Sequence, residues 1–299
     1  MQFAINTPNF GSFSDVRLMA ELAHEAEDAG WDGFFVWDHI GGSPEQAIPM
    51  ADPWVALTAM AMVTSRIKLG PIVTPLPRRR PWKLARESVT VDHLSQGRLI
   101  LGVGLGSDSF YKEYSTYGES PDDKLHGAML DEGLDVLVQL WSGKAVSYTG
   151  QHYQLHDALF LPAPLQRPRI PIWIAGVWPF KKPFRRAAHW DGVCPLKHAD
   201  QLMQPDDIQE MLTFIRQSRT SDEPFAVLAS GNTSGTERQK DLDTIMPYVE
   251  AGSTWWQESF AGSDSEELEA VRTRIRQGPP RLDVKEKKRS LSFEGKFIK

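Results

Sequence analysis

Short runs of β-forming residues alternate with longer helical patterns eight times along this chain of 299 residues. Such alternation predicts βαβ units, in which helices cover a sheet of parallel strands. The predicted strands are residues 3–6, 33–37, 67–74, 98–104, 170–175, 191–194, 225–229 and 253–257. The predicted helices are 16–29, one that begins at 53, 81–94, 121–141, 184–189, 205–217, 237–250 and 265–276. Eight of each predict an α/β fold, a (β/α)8 TIM barrel with an insertion after the fourth strand, at about 105–168.

Residues typical of helix ends accompany this pattern. Ser14 and Asp52 stand where the first two helices begin and are predicted to cap them. Gly30 is predicted to end the first helix and Gly278 the last, since glycine allows the left-handed backbone. The main alternative to a barrel is an open, doubly wound sheet, but no Gly-x-Gly-x-x-Gly follows the first strand.

Length and composition exclude several classes of protein. A barrel of this size forms one domain, so residues 1–282 are predicted as a single domain, followed by a basic, polar tail at 283–299. The one cysteine, Cys194, cannot form a disulfide within the chain and favours a cytoplasmic location. We recognise neither a signal peptide nor a membrane span. The net charge of −6 argues against a general nucleic-acid binder, and the scattered histidines predict no metal site.

The strongest catalytic candidates follow the second predicted strand. In a TIM barrel the active site lies at the C-terminal ends of the strands. This strand ends in Trp37-Asp38-His39, and a histidine carries protons readily near neutral pH. These three residues are therefore predicted to be catalytic, the alternative being a histidine that only caps the strand or lies on the surface.

The end of the third strand carries residues suited to an anionic ligand. Thr74 precedes three consecutive arginines, Arg78, Arg79 and Arg80, at the predicted rim of the barrel. Guanidinium groups bind carboxylates and phosphates in a bidentate manner. Thr74, Arg78 and Arg79 are therefore predicted to bind a cofactor, the alternative being a solvated basic rim.

Two further strand ends are candidates for cofactor binding. Alternating glycines at the end of the fourth strand, Gly104 and Gly106, would let a ligand approach the backbone, or would only bend the chain. A helix start with two lysines follows the fifth strand and would attract an anion, or would be an ordinary basic helix start. The candidates there are Gly176, Val177, Trp178, Lys181 and Lys182.

Several segments together resemble the luciferase-like family, which contains bacterial luciferase, flavin-dependent monooxygenases and deazaflavin-dependent reductases. These segments are residues 29–34 ahead of Trp37-Asp38-His39, 94–104, Glu113 with Tyr117-Gly118, 148–153, 171–176, 185–188 and 191–192. Their order and spacing extend the resemblance over roughly residues 1–195.

The resemblance implies a TIM barrel with an insertion after the fourth strand and a flavin or deazaflavin ring in its mouth. It implies that His39 is the active-site histidine, which transfers a proton or stabilises the reduced ring. The form Trp37-Asp38-His39-Ile40 is more similar to the deazaflavin branch than to luciferases, which usually have Glu-His-His. Deazaflavin members often carry a non-prolyl cis peptide near the end of the third strand, here within residues 72–75.

Three sites depart from the family pattern. Leu105 stands where luciferase has a phosphate-binding arginine, and Ser107 where some deazaflavin sugar-phosphate dehydrogenases have an acidic residue. Val177-Trp178-Pro179-Phe180 stands where many members have a serine or threonine that holds phosphate. Phosphate binding is therefore expected from backbone amides with Lys181 and Lys182.

The leading functional hypothesis is hydride transfer between reduced coenzyme F420 and an organic substrate. Arg78, Arg79 and Arg80 would meet the anionic tail of the coenzyme, His39 would handle the proton, and the loops at 110–161 would shape the substrate pocket. The first alternative is a two-component monooxygenase that uses reduced FMN. A non-catalytic flavin-binding barrel is the second, and a glycosidase that uses Asp38 and Glu258 is the third. A homodimer and a separate flavin or F420 reductase are the expected partners.

Overall fold

The computed structural model describes residues 1–41, 43–109, 111–198, 201–260 and 265–280. The predicted tail at 283–299 lies outside the described residues. The strands are β1 (Gln2–Thr7), β2 (Gly33–Val36), β3 (Lys68–Pro71), β4 (Thr74–Pro75), β5 (Leu101–Gly104), β6 (Ala145–Thr149), β7 (Gln154–Leu159), β8 (Ile172–Trp178), β9 (Gly192–Lys197), β10 (Ala226–Gly231) and β11 (Trp255–Ser259). β6 and β7 form an antiparallel hairpin, and the other nine form one parallel sheet.

The parallel sheet closes on itself because β3 and β4 are two parts of one interrupted strand. β3 pairs with β2, whereas β4 pairs with β5. A further parallel bridge joins Leu69 to Leu99. The order β3-β2-β1-β11-β10-β9-β8-β5-β4 therefore returns to its starting strand. This closure confirms the predicted TIM barrel and excludes the open, doubly wound sheet.

The helices form the outer ring of the barrel. They are α1 (Val16–Ala29), α2 (Pro53–Val63), α3 (Pro81–Leu94), α4 (Asp123–Trp141), α5 (Lys181–Ala187), α6 (Pro205–Arg216), α7 (Arg238–Ala251) and α8 (Ser265–Gln277). Asp52 caps α2 as predicted, and Gly30 ends α1 in the left-handed region at φ 92°. Within the described residues, no helix has the length and the apolar character that a membrane span requires.

The structure corrects three details of the sequence prediction. Asp15, not Ser14, caps α1, because its carboxylate accepts the backbone N–H of Arg17. The fifth barrel strand continues beyond the predicted residue 175 to Trp178, since β9 pairs with it as far as Lys197. The helix predicted at 184–189 is α5, which begins three residues earlier, at Lys181, and ends at Ala187.

The region predicted as an insertion, residues 105–168, contains one helix of the outer ring. α4 packs against α3, and its Asp131 forms an ion pair with Arg186 of α5. It therefore occupies the place of the fourth barrel helix. The segments added to the basic barrel are residues 105–109 and 111–122, which lie at the mouth, and the β6–β7 hairpin with its flanks.

Aromatic side chains fill the interior of the barrel. The ring centroids of Phe35, Trp173 and Trp255 lie 5.3–5.8 Å from one another. Cys194 lies in the same interior cluster, and burial raises the pKa of its thiol. Because this layer closes the lower barrel, a ligand can enter only at the C-terminal mouth, where the predicted site lies.

Candidate active site

His39 lies at the mouth of the barrel, three residues after the end of β2, within a cup of aromatic rings. The ring centroids of Phe10, Trp37 and Tyr111 lie 5.9, 5.9 and 5.1 Å from that of His39. Phe10 and Tyr111 are buried, whereas the His39 side chain remains 27% exposed. The imidazole is therefore held by apolar walls and still reaches solvent, as a group that exchanges protons with a ligand must.

Asn9 fixes the backbone that carries this histidine. Its side-chain amide donates to the carbonyl oxygens of His39 and Ala51, each at 2.7 Å, and its Oδ1 accepts the N–H of His39 at 3.1 Å. Asn9 is completely buried. These three bonds tie the segment after β2 to the loop after β1, so the position of His39 does not depend on its side-chain contacts alone.

Glu113, from the segment 111–122 at the mouth, contacts the His39 ring. Its Oε1 lies 3.2 Å from Nδ1 of His39 and accepts the backbone N–H of Ile40 at 2.7 Å. Its Oε2 accepts a hydrogen bond from Arg78. Burial raises the pKa of Glu113, but the contact with His39 and the charge of Arg78 outweigh it, so this pKa lies below its ordinary value.

The ionised Glu113 selects the form of the histidine. The two atoms do not form a hydrogen bond, since Nδ1 of His39 has no hydrogen-bond partner within the described residues, but a negative charge 3.2 Å away favours the tautomer that carries a hydrogen on Nδ1. Nε2 of His39 is then the nitrogen that exchanges a proton with a ligand.

Asp38 forms the buried centre of an ion-pair cluster next to the histidine. Arg78 approaches it at 2.6 Å, Arg79 at 2.8 Å, and the Thr74 hydroxyl donates to it at 2.7 Å. The Asp38 side chain has no exposed surface. The structure thus brings together Asp38, Thr74, Arg78 and Arg79, four predicted site residues, and their contacts with one another make them the frame that supports Glu113 and His39.

The glycines predicted at the rim lie where neighbouring chain segments come close. A Cβ on Gly104 would lie 2.9 Å from Val73 Cγ2, and one on Gly106 would lie 2.8 Å from the Tyr114 hydroxyl. A Cβ on Gly176 would lie 2.5 Å from the Cβ of Pro183. Packing within the chain therefore requires a glycine at each of these sites, whether or not a ligand binds there.

The remaining predicted cofactor-binding residues lie at the end of β8, three strands from β2 around the barrel. Trp178 is buried against Phe184, with ring centroids 5.2 Å apart, and Nζ of Lys181 lies 3.5 Å from its ring centroid. Val177 is half-buried, and Lys182 is exposed. These residues do not contact the His39 cluster.

The sequence prediction omitted two residues of the site. Glu113 was noted as part of the family resemblance without a role, and Asn9 was not noted. Neither is near His39 in sequence, since Glu113 lies 73 residues after Ile40, whose N–H it accepts. The one available signal for Glu113 was its place in a segment similar to the luciferase-like family.

The paired carboxylates of the glycosidase alternative lie in separate networks. Glu258 has no exposed surface and is bound by Thr233, Trp256 and Arg274. Asp38 is occupied by two arginines. Neither carboxyl group reaches the solvent at the mouth, so the geometry does not favour a glycosidase.

With this geometry established, comparison with known proteins identifies the family. The family model described as luciferase-like monooxygenase matches residues 1–289. The chain belongs to this family. Its luciferase-like barrel also carries the cis peptide expected near the end of the third strand, between Ile72 and Val73.

Curated relatives of this luciferase-like chain include F420-dependent glucose-6-phosphate dehydrogenases. The one from Kineococcus radiotolerans is 33% identical over 168 residues, which are 54% of this chain and 47% of the relative. The one from Intrasporangium calvum is 30% identical over 216 residues, or 69% of this chain and 62% of the relative. The match to the first of these relatives thus spans about half of that protein's length.

Solved structures share the fold at lower identity. A monooxygenase from Streptomyces bottropensis superposes with a TM-score of 0.70 at 21% identity, over 93% of this chain and 97% of that one. The coenzyme F420-dependent tetrahydromethanopterin reductase from Methanopyrus kandleri gives 0.69 at 18% identity, over 93% and 98%. At these identities the likeness shows the barrel fold only.

Proposed function

We propose that this luciferase-like protein is an oxidoreductase that transfers a hydride between coenzyme F420 and a small organic substrate. The observation that carries the proposal is the partly exposed His39 at the mouth, with Nδ1 held 3.2 Å from the ionised Glu113. Such a pair is suited to proton transfer, which accompanies hydride transfer to or from a carbonyl or hydroxyl group. The curated relatives named as F420-dependent dehydrogenases support the choice of coenzyme.

The ring system of the coenzyme would lie at the mouth near Gly104. A Cβ on Gly104 would be 2.9 Å from Val73 Cγ2 and 3.4 Å from Ala175 Cβ, so three chain segments come together there. The aromatic residues around His39 would provide further walls for the ring. When bound, the deazaflavin ring supplies or accepts the hydride.

The chain's own residues would control the proton. Arg78 and the N–H of Ile40 keep Glu113 ionised, and the negative charge of Glu113 would favour a hydrogen on Nδ1 of His39. Nε2 would then take or give the proton at the substrate oxygen. The role that we propose for Asp38 is to position Arg78 rather than to meet the substrate.

The anionic part of the coenzyme would bind at the end of β8 and at the nearby glycines. The proposed residues are Gly104, Gly106, Gly176, Val177, Trp178, Lys181 and Lys182. The exposed ammonium of Lys182 supports this assignment. Trp37, which is half-buried beside His39, would contact the ring or the substrate.

The expected partners also remain proposals. α2 exposes the side chains of Val55 at 58% and Met62 at 66%, and residues seven apart lie on the same face of a helix. An exposed apolar face of this kind supports a homodimer. A separate enzyme would reduce the coenzyme, and a reducing, cytoplasmic location is consistent with the single buried cysteine, Cys194.

The experiment is an anaerobic titration of the protein with F420 and, separately, with reduced FMN, followed by fluorescence. Binding of F420 alone is the expected result. Binding of reduced FMN alone would favour the monooxygenase, for which the apolar cup around His39 would exclude water from the bound ring. Binding of neither would overturn both proposals, because a barrel that binds neither coenzyme could carry out neither reaction.

A further inference from the structure

A cavity adjoins the Asp38 cluster, because Arg78 and Arg79, which bind Asp38, also line it. It has a volume of about 290 Å³ and lies between the 3-10 turn Leu76–Arg78, the start of α4 and the loop that precedes β7. Its charged and polar lining consists mainly of Arg78, Arg79, Arg80, Glu119, His126 and Tyr153. A space of this size holds about ten water molecules or a small polar ligand.

The three arginines of the cavity differ in their partners. Arg78 is bound to Asp38 and Glu113, and Arg79 to Asp38 with Glu87 at 3.8 Å. Arg80 is exposed, and its guanidinium forms neither a hydrogen bond nor an ion pair with any described residue. Its guanidinium lies 6.0 Å from the ring centroid of Trp82. Arg80 is thus the cation at this cavity that remains available to a ligand.

Two buried side chains that line the cavity each have one polar atom without a hydrogen-bond partner among the described residues. Tyr153 and His126 are each only 3% exposed. Within the described residues, neither the Tyr153 hydroxyl nor Nδ1 of His126 has a hydrogen-bond partner. Buried polar atoms are nearly always paired, so two such atoms at one cavity indicate that a ligand completes them.

The chemistry of these atoms defines the ligand. Burial raises the pKa of Tyr153 to about 12, so its hydroxyl keeps its proton and donates. Nε2 of His126 donates to the carbonyl of Ser120 at 2.8 Å, and the ring stacks on Tyr114 with centroids 3.9 Å apart. Nδ1 is therefore fixed in place, where it accepts from a ligand hydroxyl or, when protonated, donates to a ligand oxygen.

We propose that this cavity is a binding site for an oxyanion, held by Arg80, Tyr153 and His126. Arg80 would bind two of its oxygens in a bidentate manner, and Tyr153 would donate to a third. Glu119 is the one carboxylate that lines the cavity within the described residues, and it is exposed, so solvent screens its repulsion. The inner wall is Arg78, so the oxyanion would lie next to the frame of the active site.

The test is calorimetric titration of the full chain with inorganic phosphate at constant ionic strength. We expect one saturable site. Arg80→Gln should raise Kd at least tenfold, because a charge-assisted pair is lost, and Tyr153→Phe should raise it severalfold. Lys83→Gln is the matched control: it removes a cation of the same helix whose ammonium pairs with Glu87 outside the cavity, and Kd should stay within twofold.

Two results would overturn the proposal. One is the absence of a saturable site for phosphate. The other is an unchanged Kd in both Arg80→Gln and Tyr153→Phe, which would place bound phosphate elsewhere on the protein.

The source of the oxyanion is decided by a second titration, which rests on the proposed function. Competition between F420 and phosphate, lost in Arg80→Gln, would identify the anionic tail of the coenzyme as the occupant. Independent binding of both would identify a free oxyanion, and either result supports the site. A protein that binds phosphate but not F420 would contradict the proposed function and leave this inference intact.

Discussion

The side chain of His39 faces a carboxylate on one side and remains partly exposed. Glu113 contacts Nδ1 at 3.2 Å, whereas 27% of the side chain remains exposed. This asymmetry is what a proton-transferring imidazole needs, because the fixed side sets the tautomer and the other side meets the ligand. At the residue scale, the candidate chemistry therefore depends on one contact between segments that are distant in sequence.

Replacement of this imidazole tests its proposed role. We expect His39→Asn to lower kcat by a factor of about 10² to 10⁴, the usual contribution of an acid–base group, with little change in F420 affinity. Steady-state kinetics and fluorescence titration measure the two effects. His24→Asn, on the surface of α1, is the control. Full turnover in His39→Asn would show that the imidazole carries no proton in the reaction.

Asp38 offers a second test at this scale. Asp38→Asn leaves Arg78 and Arg79 buried beside a neutral group, so we expect the free energy of unfolding to fall by about 3–5 kcal/mol. Urea denaturation measures this loss. Asp28→Asn, at an exposed site of α1, should change it by less than about 0.5 kcal/mol. Normal stability with a collapsed kcat would instead indicate that Asp38 takes part directly in the chemistry.

At the scale of elements, helix α1 fixes the start of β3 through one carboxylate. Glu27 accepts the backbone N–H groups of Ser65, Arg66 and Ile67. Burial raises the pKa of Glu27, but these bonds outweigh it and lower the pKa to about 2. The side chain thus supplies partners to three backbone donors at the turn where a helix passes into a strand.

This contact predicts a pH dependence of stability. The pKa of Glu27 is depressed by folding, so its contribution is complete above its ordinary pKa of 4.5 and is lost as pH falls toward about 2. Glu27→Gln should lower the free energy of unfolding by about 3 kcal/mol at pH 7 and flatten its acid dependence between pH 5 and 2. Urea denaturation across that range, with the exposed Glu250→Gln as control, measures both effects. An acid dependence as steep as that of the native chain would contradict the assignment.

At the scale of the whole molecule, close-packed side chains fill the interior of the barrel below its mouth. Phe35, Trp173 and Trp255 meet edge to face or tilted within it, and Gly33 and Gly192 lie close to the two indoles. A Cβ on Gly192 would lie 2.7 Å from Trp173. Glycines therefore provide the space that the large aromatic rings occupy inside the closed barrel.

Removal of one ring should weaken the whole fold. We expect Trp173→Ala to lower the free energy of unfolding by about 3–5 kcal/mol, since neighbouring side chains fill such a cavity only in part. Trp82→Ala, at a ring that is 37% exposed, should lower it by much less. Equal losses in the two variants, measured by urea denaturation, would show that the interior cluster does not stabilise the barrel more than the surface does.

The sequence determined the local features of this protein. The alternation of short and long patterns gave the eight barrel strands and the outer helices, and Asp52 and Gly30 marked two helix ends. These features depend on residues within a few positions of one another, so a linear reading reaches them. His39 could be proposed because strand ends meet at one face of a barrel.

Only the tertiary structure decided which of these residues meet. Arg78 and Arg79 were predicted to bind an anionic ligand, but they form ion pairs with Asp38 and Glu113. The guanidinium of Arg80 forms no ion pair with a described residue. Glu113 reaches His39 only because the segment after β5 folds back over the mouth. Both the arginine ion pairs and the Glu113–His39 contact arise when the barrel closes. Sequence periodicity fixes which face of a helix or strand a side chain occupies. Which charged groups pair depends on distances between segments far apart in the chain, and only the tertiary structure sets those distances.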